Sequence, residues 1–416
     1  MIVHKFGGAA VKDAEGVRNL FSIIKSRHEE KVIVVSALGK TTNSLEQLTD
    51  FAYQDKYHAF MNHLEAIRTY HQHILDDLFP PDAAIMETIR ETFGQLAAKF
   101  ELEGFDYDFL YDQIVSFGEI LSTHIISAYI SSQGIPCRWM DIRKYLVTDN
   151  LHREANIDWE QSRNSIRQYF ETARELVITQ GFIAGTAGGI ATTLGREGSD
   201  YTAAVLANIL EAEKVIIWKD VPGVMNADPR FFEEARKLDG LSYQEAIELA
   251  YYGAKVIHPK TIKPLQNKKI PLLVYSFVHP EKEGTLISDD RPSRDHIPVY
   301  ILKQHQMLIS ILPKDLSFVF EERLSRIYSL FAEHRIQVNL MQHSAVTFSV
   351  AVDEKNPRIS ALLDALKREF RVLYNTGLEL ITIRYYTEQS CHNILKGRKL
   401  LVEQKSRHTA QFIVED

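Results

Sequence analysis

Cysteine is almost absent from this chain: Cys137 and Cys391 are the only two among 416 residues. So few thiols exclude a disulfide framework and a cysteine-rich zinc cluster, and they suit a reducing compartment. An excess of positive charge is missing too. The formal net charge is −7 and the sequence pI is near 6.2, which argues against a nucleic-acid surface. The opening Met1-Ile2-Val3-His4-Lys5-Phe6 lacks the layout of a secretion signal, and no apolar run is expected to approach the length of a membrane span. The expectation is a cytoplasmic protein that binds neither nucleic acid nor membrane. Two phosphate-binding signatures are also lacking. No G-x-G-x-x-G follows the first strand, and Gly39-Lys40-Thr41-Thr42 is only the tail of a P-loop, because Val34 stands where its first glycine belongs.

What is present is enough apolar residue, 45%, for a full core, and enough chain for two or three domains. Met1 to Lys5 reads as a strand, Gly7-Gly8-Ala9-Ala10 as a loop of minimal side chains, and Asp13 onward as a helix. Lys31 to Ser36 is the β-branched run of a buried parallel strand. This is a βαβ unit, and ligands in such sheets bind beyond the carboxyl ends of the strands, where Gly7-Gly8 and Ala37 to Asn43 lie.

From Asn43 to about Phe109 the pattern is helical, broken at Pro80-Pro81. His58, His63, His71 and His73 lack the i, i+4 spacing of a helical metal site and read as ordinary helix-surface residues. Tyr107 to Ala128 is a further helix carrying Ser116-Phe117-Gly118-Glu119, where Glu119 is either a solvated carboxylate or a ligand for an amine. Cys137 to Asp141, Leu176 to Ala184, Lys214 to Trp218 and Ile270 to Ser276 read as strands. Ser242 and Glu245 form a capping box.

The chemistry concentrates in Leu194-Gly195-Arg196-Glu197-Gly198-Ser199-Asp200, a polar loop entering an apolar helix. Amide groups at a helix N-terminus favour phosphate or carboxylate, and Arg196 can grip a carboxylate with two hydrogen bonds. Asp200 can orient a lysine or a metal-bound phosphate; the competing reading is a glycine-rich turn with an Asp or Ser cap. A polar stretch at 289–300 reads as a linker. Beyond it the order strand, helix, strand, strand, helix, strand is ferredoxin-like, and a shorter tail reads as an incomplete second copy.

Lys5-Phe6-Gly7-Gly8, Ser36-Ala37 with Thr42-Asn43, Ser116-x-Gly118-Glu119, Gly195-Arg196-x-Gly198-Ser199-Asp200, Asp220-Val221-Pro222-Gly223, Ala227-Asp228-Pro229-Arg230 and Gly253-Ala254-Lys255-Val256-x-His258-Pro259 together resemble the aspartate kinase family along the whole chain. The resemblance implies an amino-acid-kinase three-layer α/β/α sandwich over residues 1–288, with a mostly helical lobe at about 44–115. Ferredoxin-like ACT-type α+β modules would follow at 300–386 and, in part, at 387–416. It implies ATP-dependent phosphorylation of L-aspartate to 4-phospho-L-aspartate, the first step toward lysine, threonine and methionine. Lys5 and Asp200 would be catalytic, and Thr42, Glu119, Arg196 and Ser199 would bind the substrate. ATP contacts would come from Lys5, Gly7, Gly8, Lys219, Asp220, Met225, Arg230, Lys255 and Val256. Mg2+ would be held by the phosphates rather than by protein side chains. A homodimer or larger assembly through the ACT modules is implied, with lysine or threonine as effector near Asn339, Leu340, Met341 and Ser344.

Four departures stand out. Ala9-Ala10 replace hydroxyl residues, Glu197 replaces a glycine of the central loop, Lys219 replaces a threonine and Met225 a tyrosine. A kinase for acetylglutamate, carbamate or uridylate is the rival within the superfamily. Glu119 with Arg196 favours a zwitterionic amino acid over an N-acetylated one. A catalytically silent amino-acid sensor is the rival from another class, and a fused homoserine dehydrogenase is not expected.

Overall fold

The structure, a computed structural model, describes residues 1–27, 31–102, 104–232, 234–254, 257–289, 297–315 and 321–415. The chain forms two compact units. The first comprises Met1–Val224, Lys237–Ile247 and Val256–Ser293, and the second comprises Met225–Arg236, Glu248–Lys255 and Arg294–Asp416.

The first unit opens with β1 (Ile2–Phe6), α1 (Ala14–Lys25) and β2 (Lys31–Val35). Asp13 caps α1 by accepting from the Gly16 amide at 2.8 Å. The helical lobe is α2 (Thr41–Tyr53), α3 (Tyr57–Leu78), α4 (Ile85–Ala97) and α5 (Tyr107–Val115), with α6 (Phe117–Ser132) running on from it. Next come β3 (Cys137–Met140), β4 (Val147–Thr148), α7 (Trp159–Thr172), β5 (Leu176–Gln180), β6 (Ile183–Thr186), β7 (Ala191–Thr193), α8 (Gly198–Leu210) and β8 (Lys214–Lys219). The unit closes with β9 (Gly240–Leu241), α9 (Tyr243–Tyr252), α10 (Pro259–Lys268), β10 (Leu272–Ser276) and β11 (Thr285–Ile287), residues 248–252 of α9 being counted with the second unit.

Its main sheet runs β3-β5-β2-β1-β8-β10-β11-β9 and is parallel from β3 through β10. Alternation along β1 sorts the layers. Ile2 and Phe6 join Ile33, Val35, Ile178 and Trp218 in a core shared with α1 and α6. Lys5 faces the other way and meets α8. Helix, sheet, helix is the resulting order.

Three sequence readings need correction. Leu176 to Ala184 is not one strand: it breaks at Gly181-Phe182, where Phe182 takes φ of 66°. His71 is not a surface residue. It is fully buried, its Nδ1 lies 2.8 Å from the Ile67 carbonyl, and burial lowers its pKa to about 4. The span Tyr107–Ser132 is long and apolar enough to cross a membrane by length and composition, contrary to the expectation. However, 83% of its most apolar window is buried inside the protein, so it is a core element.

The second unit is built on β12 (Val299–Pro313), α11 (Glu321–Glu333), β13 (Val338–His343), β14 (Phe348–Asp353), α12 (Ile359–Glu369), β15 (Phe370–Arg384), α13 (Glu388–Leu395), β16 (Lys399–Lys405) and β17 (Thr409–Glu415). One sheet, β13-β14-β12-β15-β17-β16, holds them together. β12 and β15 are fifteen residues long and serve both halves of the sheet. Helices α11 and α12 pack over Met307, Ile309, Ile311 and β14, while α13 packs with Ile381, Ile383 and Phe412. The tail finds its sheet partner within the chain, since β17 pairs with residues 379–384 of β15. The polar stretch 289–300 is not all linker: it already enters β12 at Val299 and Tyr300, and 290–296 lie outside the described residues.

Candidate active site

Parallel register brings the carboxyl ends of four strands together. Phe6 stands beside Val35 and Trp218, and Val35 beside Gln180, so Gly7, Ser36 and Gly181 leave the sheet as neighbours, beside Lys219 at the end of β8. The first turn of α8 lies across this edge.

Lys5 and Asp200 form its centre. Lys5 Nζ is 2.7 Å from Asp200 Oδ1, and the side chains are only 10% and 3% exposed. Lys219 Nζ approaches the other carboxylate oxygen at 3.5 Å. Burial opposes ionisation of Asp200, but the two ammonium groups outweigh it and hold its carboxyl below the usual range. Two cations on one carboxylate leave an excess of positive charge in a nearly dry site, which suits a phosphate better than a metal ion. Among the described residues, no group of three or more His, Cys, Asp and Glu is arranged to hold a metal.

Glu119 is 2% exposed, which rules out the solvated-face reading. It is brought there by Gly118, on which a Cβ would stand 2.9 Å from the Ala37 Cβ and 3.2 Å from a Leu45 methyl. With no side chain at that point α6 approaches the loop after β2, and the Ala37 amide donates to Glu119 Oε1 at 3.1 Å. Its Oε2 and the hydroxyl of Ser116 are buried with no hydrogen-bond partner among the described residues. Burial pushes the Glu119 pKa up to about 8, against the Ala37 amide and the charge of Lys5. A buried carboxylate with one oxygen unmet is an acceptor waiting for a donor, and an ammonium ion supplies one.

Ser199 is buried against Gly181, where a Cβ would come within 2.4 Å of the Ser199 Cβ. Thr42 is half-buried on the first turn of α2, and Gly7 precedes the single turn Gly8–Val11 that contains Ala9 and Ala10. Arg196 and Asp220 are exposed. Met225 and Arg230 belong to the second unit; Met225 is half-buried, and Arg230 is exposed with Nε 3.0 Å from Asp228 Oδ1. Lys255 and Val256 lie outside the described residues. Asn339, Leu340 and Met341 are on β13, the terminal strand of the second sheet, and Ser344 follows it. Leu340 is buried in an apolar cluster, whereas Met341 is 50% exposed.

Sequence reasoning missed Asp112. This fully buried carboxylate accepts from Thr193 Oγ1 at 2.6 Å and from the Arg153 amide at 3.1 Å, and it lies 2.8 Å from His152 Nδ1. It ties α5 and the 151–156 loop to β7, which leads directly into Gly195-Arg196. It sits in Phe109-Leu110-Tyr111-Asp112-Gln113-Ile114-Val115, so the polar pair Asp112-Gln113 interrupting an apolar helix was its one signal. Phe182 was missed as well; its amide donates to Thr202 Oγ1 of α8 at 3.0 Å.

The amino acid kinase family profile covers residues 1–276. Lysine-sensitive aspartokinase 3 of Escherichia coli is 31% identical over 92% of this chain and 86% of its own length. The crystal structure of E. coli aspartokinase III in complex with aspartate and ADP superposes with a TM-score of 0.85 at 29% identity, covering 100% of this chain and 96% of that one. The bifunctional aspartokinase/homoserine dehydrogenase 2 of Arabidopsis thaliana is 30% identical over 90% of this chain, which spans only 42% of that relative's length. The chain belongs to the amino acid kinase family and, within it, to the aspartokinases.

Proposed function

We propose that the chain transfers the γ-phosphoryl group of ATP to the side-chain carboxylate of L-aspartate. The observation that carries this reading is the pairing of a doubly lysine-bound Asp200 with a buried Glu119 whose Oε2 is unmet. The first suits phosphate, the second the α-ammonium of an amino acid. An N-acetylated acid or a nucleotide brings no ammonium to Glu119. The E. coli relative was crystallised with aspartate and ADP, the acceptor and the spent donor of this reaction.

The acceptor oxygen attacks the γ-phosphorus, the bond from that phosphorus to the β-phosphate oxygen breaks, and ADP leaves with the electron pair. The carboxylate is already ionised near neutral pH, so no general base is required. What remains is positioning and charge neutralisation. Lys5 would hold the transferring phosphoryl group, Asp200 would fix Lys5, and Lys219 would add a second cation. Arg196 and Ser199 would bind the α-carboxylate, with Thr42 beside them. Asp220, Met225, Arg230, Lys255 and Val256 would serve the nucleotide, with amides around Gly7 and Gly8. Mg2+, when bound, would neutralise phosphate charge from the nucleotide's side.

The second unit would act as an ACT-type regulatory region, its β13 edge meeting a second copy of the chain and forming an effector site for lysine first or threonine second. Terminal strands are ready pairing edges, and the E. coli relative is described as lysine-sensitive. The decisive experiment is ADP release measured with aspartate, N-acetylglutamate, UMP or no acceptor. Release dependent on aspartate alone is expected. Release with another acceptor, or with none of them, overturns the reading. Lysine and threonine titrations with a solution-mass measurement test the regulatory half.

A further inference from the structure

Glu197 stands where the aspartokinase resemblance expects glycine, and it keeps the conformation glycine favours: φ is 53° and ψ is 30°. A residue with a side chain is held there only when surrounding interactions over-determine it. Its backbone starts α8, since its carbonyl accepts from the Asp200 amide at 3.0 Å and the Tyr201 amide at 3.2 Å. Its side chain does not cap that helix. Instead Oε2 accepts from the His258 amide at 2.8 Å, at the N-terminus of α10. There the His258 ring in turn accepts from the Lys260 amide at 3.2 Å. Lys260 closes the same gap from the other direction. Its Nζ donates to the Leu194 carbonyl at 3.1 Å and lies 5.2 Å from the centre of the Tyr201 ring. Three contacts thus join the loop that carries Arg196 to the segment entering α10, and the contact made by Glu197 is one a glycine could not make.

We propose that Glu197 is a positioning residue: a clasp that orders the Arg196 loop together with the start of α10. This rests on the reading of the site as an aspartate kinase, in which the sequence just before His258, Lys255-Val256, serves the nucleotide and Arg196 serves the amino acid. The clasp therefore makes the two substrate subsites order one another. The carboxylate satisfies an amide at a helix N-terminus, where negative charge is favoured, and so offsets the left-handed backbone.

Glu197→Gly and Glu197→Gln separate the backbone from the carboxylate. Glycine suits φ of 53° and removes the acceptor; glutamine keeps an acceptor oxygen of similar reach. With the Gly variant the KM values for aspartate and ATP are expected to rise together by about tenfold, the size of a lost charge-assisted hydrogen bond, while kcat changes much less. Glutamine should restore most of the loss. Amide exchange at His258, read by hydrogen–deuterium exchange without substrates, should quicken about tenfold in the Gly variant and little in the Gln variant. This arm needs no turnover, so it decides the clasp even if aspartate proves not to be the substrate. Unchanged exchange at His258 in the Gly variant overturns the clasp. Faster exchange with both KM values unchanged overturns its positioning role.

Discussion

One buried polar cluster in each unit, around Glu119 and Asp200 in the first and around Gln306 in the second, is arranged on opposite terms. In the first, Glu119 leaves an oxygen unmet and Asp200 gathers two lysines around one carboxylate. In the second, Gln306 is equally buried but fully engaged. Its Nε2 donates to Asp353 Oδ1 at 2.8 Å, and its Oε1 accepts from Asn339 Nδ2 at 2.9 Å. Asn339 Oδ1 accepts from Lys303 Nζ at 2.8 Å. An unmet buried acceptor is costly to the fold and is retained where a ligand completes it; a closed network rigidifies a sheet. The comparison fits the proposal that the first cluster binds substrate, and it gives the second the features of architecture. It also shows that an effector reaching Asn339 must compete with Lys303.

Lys5→Ala tests the comparison most severely. Removing the cation should lower kcat by roughly 10² to 10³ while the melting curve still shows a folded protein. A folded variant with near-normal kcat would remove Lys5 from the chemistry.

Glu119→Gln comes next and has a pH signature. The folded pKa of about 8 lies above the unfolded value of 4.5, so the native state binds this proton more tightly. Its contribution to stability is complete below about pH 4.5 and is lost as the pH rises toward 8. Glutamine cannot ionise, so the variant's advantage in Tm without ligand should be larger at pH 8 than at pH 5. Aspartate, whose ammonium needs the ionised carboxylate, should bind the wild type more tightly as the pH approaches 8, with proton release. It should bind the variant at least about tenfold more weakly, from the loss of a charge-assisted hydrogen bond. Calorimetry in two buffers of different ionisation enthalpy reads the proton directly; equal heats would contradict the assignment.

Asp112→Ala should act on both fold and substrate. It strands the Thr193 hydroxyl and the Arg153 amide, at a cost of about 3 kcal/mol in stability. The loop leading to Arg196 loosens with it, so the aspartate KM should rise several-fold with little change in kcat. A loss confined to kcat would point instead to a direct role in the chemistry.

These residues differ in how plainly the sequence announced them. Lys5, Glu119 and Asp200 could be found because their motifs join a charge to small residues at an element's end. What Gly118 does could not be read: its lack of a Cβ matters only against Ala37 and Leu45, which are remote in the chain. The clasp of Glu197 depends on His258, 61 residues away. Only the later part of β12 is a continuous apolar run in the sequence, because Lys303-Gln304-His305-Gln306 interrupts it with polar residues. In the structure this polar segment is a bulge, with register shifts between Lys303 and Leu308 and φ of 56° at His305, and its polar groups bond across the strands. Patterning reports which side chains avoid water, and it cannot report polar groups that escape water by bonding to one another.

Gln306→Leu carries the smallest expected effect on turnover and tests the architectural half of the comparison. Leucine keeps roughly the volume but strands Asn339 Nδ2 on one side and removes a donor to Asp353 on the other, although each of these partners retains another contact, since Asn339 Nδ2 also donates to Asp353 Oδ1 at 3.0 Å. The cost in stability should therefore be modest, about 1–2 kcal/mol, seen as a lower denaturation midpoint. With saturating aspartate and ATP, kcat should stay within about twofold of the wild type, because a closed network acts through the fold and not on the reacting atoms. If kcat falls tenfold while the midpoint does not move, the seam is functional and the contrast between the two clusters fails. A lowered midpoint with intact turnover would confirm it as scaffold.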